Sequence, residues 1–61
     1  MNLDHALSQT EELDRLMTEA IERFKGMNHG ITTTFAEMIE IYQGKVRIIQ
    51  TIIKQTKRIG E

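Results

Sequence analysis

Between Phe35 and Ile53 the chain sets an apolar or aromatic residue at spacings of 4, 3, 4, 3 and 4: Phe35, Ile39, Tyr42, Val46, Ile49 and Ile53. A strand would alternate every second residue. This pattern closes only on a helix, and a repeat averaging about 3.5 residues runs along a second helix. The sequence has no Pro to interrupt it, so the spacing predicts a helix over about 35–58 that stops near Gly60.

The first half carries a companion pattern. Leu3, Thr10, Met17 and Phe24 recur every seven residues, with Ala6, Leu13, Ala20 and Met27 as a second row and Leu7, Leu16 and Ile21 widening the stripe. Ser8 followed by Glu11 has the form of a capping box, and Glu11, Glu12 and Asp14 then fall where a helix amino terminus favours anions. A helix over about 8–25 is expected, with residues 1–7 as a frayed extension or an added turn. Arg23 and Lys25 suit its carboxyl end, and Gly26 can take the left-handed conformation that stops it. The stretch Gly26-Met27-Asn28-His29-Gly30 and the threonines 32–34 mark a turn over about 26–33. Thr34 with Glu37 repeats the capping-box spacing.

The expected fold is therefore all-α: one antiparallel two-helix hairpin, coiled-coil-like, spanning the single domain 1–61. Its internal seam is read as Met17 and Phe24 against Phe35, Ile39, Tyr42, Val46, Ile49 and Ile53. A chain of 61 residues hides only roughly 60% of its unfolded surface. Chains this short usually need a disulfide, a metal or a partner. There is no Cys, which removes disulfides and thiolate metal sites and leaves a partner.

A partner strip is also legible. Ile41 and Ile48 lie roughly 130° from the centre of the expected seam, at about 100° per residue. One helix cannot bury both. With Met38 and Ile52 they form a second apolar strip, the expected interface. Gly44, mid-helix, reads either as a tolerated surface residue or as a point of close helix approach or kinking.

Little here supports chemistry. His5 and His29 fall at opposite ends of a hairpin and cannot share an ion, so no metal is expected. Glu11, Glu12, Glu37 and Glu40 sit at capping or surface positions, without a pocket for paired-carboxylate catalysis. Ser8 has no His neighbour, and no phosphate loop is present. No catalytic residue and no cofactor are assigned, and the expectation is a chain that is not an enzyme.

Charge is uneven. Residues 1–30 hold six acids and three bases, while residues 31–61 hold three acids and five bases. Helices of opposite sign attract along a hairpin. The alternative is a basic strip from Lys45 to Arg58, and with it a dimeric RNA-binding regulator whose affinity would depend on salt. The net charge of −1 and the shortage of aromatics for stacking argue against nucleic acid as a partner. No membrane span is expected: the richest apolar run, Ile48 to Ile53, is interrupted by Gln50 and Thr51. The opening residues have no basic stretch and apolar run of a secretory signal. The expected location is cytoplasmic before any assembly or export.

The run Glu37-Met38-Ile39, Tyr42 and Val46, then Ile48-Ile49 and Thr51-Ile52 with Lys54, resembles the carboxyl-terminal helix of small type III secretion proteins. Inner-rod subunits are nearest in wording. Glu19 to Phe24, a turn, then Phe35 to Tyr42 is similar to the two-helix outline of needle subunits. The resemblance covers residues 19–54. It departs from the needle pattern in having no turn prolines, and from inner-rod proteins in its shorter amino terminus. The hairpin co-chaperone that holds needle subunits also matches in size. The resemblance implies either a subunit that assembles with itself through the second strip, or a module that holds a helical partner.

Overall fold

The computed structural model of the chain describes residues 2–60. Two helices, α1 (Leu3–Gly26) and α2 (Gly30–Gly60), form an antiparallel hairpin. Lys57 of α2 pairs with Asp4 at the open end, and Phe24 meets Phe35 edge-on at 6.0 Å by the turn. The molecule measures 47 × 15 × 13 Å.

Helix α1 starts five residues earlier than the capping box at Ser8 suggests. Asn2 is the N-cap: its side-chain oxygen accepts from the His5 amide at 3.1 Å, and Asp4 adds a carboxylate to the first turn. Leu3, Ala6 and Leu7 are half-buried, so the extra turn contributes to packing. Ser8 stands exposed inside the helix. With an Asx cap available upstream, nothing makes the chain stop at Ser8.

The turn is also tighter than 26–33. It consists of Met27, Asn28 and His29. Asn28 takes the left-handed conformation (φ 51°), and Gly26 does not. Asn tolerates that region better than other non-glycine residues. Helix α2 then opens at Gly30, and the His29 ring nitrogen Nδ1 accepts from the Ile31 amide at 3.1 Å. The three threonines do not delay it. Thr32 and Thr34 donate their hydroxyls to the carbonyls of His29 and Gly30, at 3.0 Å each. That bond lets a threonine sit within the first turns of a helix. Gly44 lies in open space on an unbroken α2, with nothing near its missing side chain.

The seam between the helices follows a 4-3 repeat, but its phase on α2 differs from the sequence reading. Its α2 side is Thr32, Ala36, Ile39, Gln43, Val46, Gln50, Ile53 and Lys57. Ile39, Val46 and Ile53 belong to it as expected from the sequence. Phe35, Tyr42 and Ile49 do not: each is displaced by the residue that follows it. Tyr42 is 56% exposed, Phe35 and Ile49 47% each. Phe35 keeps one inward contact, the Phe24 ring.

On α1 the seam is Leu3, Leu7, Thr10, Asp14, Met17, Ile21 and Phe24, with Ala6 and Ala20 beside it. Met17 and Phe24 thus lie where expected. Leu13, Leu16 and Met27 are exposed. The buried set is small: Ile21, Ala36, Val46 and, unusually, Gln43.

A candidate interaction surface and the polar lock behind it

Gln43 explains the rotation of α2. Its amide nitrogen donates to the Asp14 carboxylate at 2.6 Å and the Thr18 hydroxyl at 2.8 Å, and the Asp14 carbonyl lies 3.2 Å away. Arg47, one turn on, reaches the same carboxylate at 3.4 Å. A buried amide is stable only where its donors are met. Asp14 and Thr18, four residues apart on α1, meet them. Tyr42 in that place would leave the Asp14 oxygens facing a ring, so the polar match selects Gln43 for the inside. The Gln43 hydrogen bond, as the largest cause, holds the Asp14 carboxyl below its ordinary value of 3.8; burial opposes this, and Arg47 and Gln50 add to it.

The opposite-charge attraction expected from the sequence takes a definite place. Lys25 pairs with Glu40 at 2.5 Å, Arg47 with Asp14, and Lys57 with Asp4. Asp14 therefore lies half-buried at the seam, facing α2, and not at a helix amino terminus. Lys25, Thr18, Glu40 and Arg47 share one side of the hairpin. A groove on that side is lined by Thr18, Ile21, Glu22, Glu40, Gln43 and Arg47.

The other side is apolar. Helical periodicity places Leu13 and Leu16 of α1 beside Phe35, Met38, Tyr42, Ile49 and Ile52 of α2. All seven are 43–56% exposed. An open groove lined by Gln9, Thr10, Glu12, Leu13 and Leu16 lies along the same side. Glu12 lines that groove at the α1 edge of the face, and helical periodicity adds Arg23 and Lys45 to its charges.

The four residues of the expected interface are therefore split. Met38 and Ile52 lie on the apolar face. Ile41 (65% exposed) and Ile48 point directly away from α1, on its outer margin. The face is broader than the sequence reading of it. The sequence spacing puts Phe35, Tyr42 and Ile49 in the seam, and Leu13 and Leu16 in the apolar stripe of the first helix, so none of the five is legible as an interface residue. The usable signal was a second uncharged 4-3 row, through Ala36, Gln43 and Gln50.

Among the described residues no group of three or more His, Asp or Glu side chains could hold a metal ion, and no helix is long and apolar enough to cross a membrane. His5 lies in the first turn of α1 and His29 in the turn, at opposite ends of the hairpin. The fold and its surface define a two-helix hairpin with one charged side and one apolar side. Comparison with family models, curated proteins and solved structures gave no match.

Proposed function

We propose that the protein is a non-enzymatic helical interaction module that works by covering its apolar face with another helical surface. One observation carries this reading. Seven large apolar side chains lie exposed along one side of the hairpin, while the Lys25–Glu40 and Arg47–Asp14 ion pairs lie on the other. Contiguous apolar surface of that kind marks a binding site, and a face formed by helix ridges is complementary to other helices.

Two finer readings follow from the type III secretion resemblance. A rod- or needle-like subunit needs two unlike patches that fit each other head to tail. A co-chaperone or other closed module needs one face. The single-sided distribution of apolar residues favours the closed module. The RNA-binding reading has less support, because Arg47 and Lys57 face Asp14 and Asp4 within the hairpin.

The test is sedimentation and circular dichroism of the wild-type chain over a wide dilution series. An interaction module that depends on its partner loses mass and helicity together on dilution. A chain of 7.1 kDa that stays monomeric and fully helical throughout, and binds no helical partner, would overturn the reading. Mass that grows without limit would favour the polymerising subunit.

A further inference from the structure

We propose that the apolar face is covered by a second copy of this chain, with α2 of each laid over α1 of the other and each Lys45 seated against the partner's Glu12, Arg15 and Glu19. This rests on the interaction-module reading and adds to it a partner, a stoichiometry and a geometry.

The area fits a dimer. A compact chain of this mass exposes about 4,100 Å². This hairpin exposes 4761 Å². The surplus, roughly 700 Å², approaches the ~800 Å² that each partner hides in a standard stable interface. The need is also immediate. With Ile21, Ala36 and Val46 as the only buried apolar side chains among the described residues, the hairpin has little holding it together before the face is covered. A second copy is always present in equal amount when the chain folds.

Charge selects the arrangement. Lys45 lies in the apolar face between Tyr42 and Ile49 and makes no ion pair among the described residues. On α1, Leu16 is flanked one turn away on each side by Glu12 and Glu19. Arg15 bridges the two, at 3.8 and 2.9 Å, and the group keeps a net charge of −1. The contacts of Asp14 with Gln43 and Arg47, of Thr18 with Gln43 and of Asp4 with Lys57 set Lys45 level with the stretch from Asp14 to Leu16, between Glu12 and Glu19.

A two-fold axis parallel to the helices preserves that height. It brings Lys45 over the partner's Leu16, between the partner's Glu12 and the partner's Glu19, twice per dimer. The lysine stem covers apolar surface while its ammonium neutralises the acidic group. The same axis lays Tyr42 near the partner's Ala20, where a small side chain leaves room for the ring. An axis across the helices, at full overlap, would instead set Lys45 against the partner's Lys45. Each copy presents the same patch, so the assembly closes at two.

The test is the dissociation constant of full-length chains by sedimentation. Wild type is expected at a limiting mass of two chains. Lys45→Glu should weaken the dimer about tenfold or more, since like charges then meet at two symmetric places. Adding Glu12→Lys and Glu19→Lys to Lys45→Glu should restore it. Lys54→Glu, on the charged side, should leave it unchanged. Rescue cannot come from a variant that simply fails to fold.

A wild type that stays monomeric would overturn the dimer. So would one that grows past two, or a Lys45→Glu loss that the double reversal does not repair. Growth past two, or capture of a different helical protein by the monomer, leaves the interaction-module reading standing. A monomer that is fully helical at every dilution and binds no helical partner sinks both.

Discussion

Helix α2 has two long faces of different character. The face turned toward α1 carries small and polar residues among its aliphatics: Thr32, Ala36, Gln43, Gln50 and Lys57. The face on the apolar side of the hairpin carries Phe35, Met38, Tyr42, Ile49 and Ile52. In a self-sufficient domain the larger apolar side chains would be inside, because burial of each is worth about 1.5–3 kcal/mol. The inversion separates two tasks. The inner face sets register through hydrogen bonds and ion pairs, and the outer face holds most of the apolar surface available for binding.

The sharpest break between the faces is expected from truncation. Ile21→Ala, in the buried seam, should cost about 2–5 kcal/mol. In a hairpin with so few buried residues, that should abolish helicity at every concentration, as read by circular dichroism. Ile52→Ala, on the outer face, should instead lower stability only where the chain is associated, and leave a dilute chain as helical as wild type. Equal losses from both at all dilutions would mean that the two faces are not distinct.

A smaller effect sharpens the account of register. Gln43→Ala removes the amide that joins Asp14 to Thr18. Thermal melting should fall by about 4–8 °C, which corresponds to about 1 kcal/mol in a domain this small. An unchanged midpoint would mean that the polar contact does not hold α2 in its rotation.

The Asp14 carboxyl gives a pH test of the same lock. Its value in the folded chain lies below the unfolded one. Its contribution is therefore complete above the unfolded value and is lost as pH falls through the folded value. Melting followed from about pH 6 to about pH 2 should show that loss in wild type. It should be reduced in Asp14→Asn, and a wild-type slope retained there would assign it to other carboxylates.

The smallest expected change is a gain. Gly44 lies on the charged side with nothing near it, so Gly44→Ala should stabilise α2 by about 0.8–1 kcal/mol, with no change in assembly mass. A weakened assembly would show that a neighbour approaches there.

The sequence by itself determined two helices, their antiparallel order and the place of the reversal. Seven-residue periodicity on both sides of Gly26 to Gly30 admits little else. The helix ends were less legible. Asn2, Asn28 and the His29 ring took the capping and turning roles that Ser8, Gly26 and Thr34 were expected to fill. Competing caps a few residues apart differ by only about 1 kcal/mol.

What only the tertiary structure decided was the rotation of α2 about its own axis. Two rows with the same 4-3 spacing run side by side on that helix, one through Phe35, Tyr42 and Ile49 and the other through Ala36, Gln43 and Gln50. Periodicity within one helix cannot rank them. The choice comes from the other helix: the Gln43 amide, once buried, finds its acceptors in the Asp14 carboxylate and the Thr18 hydroxyl, and Arg47 comes within reach of Asp14. Those contacts form with Gln43 facing inward, and that turns the larger apolar row toward the outside.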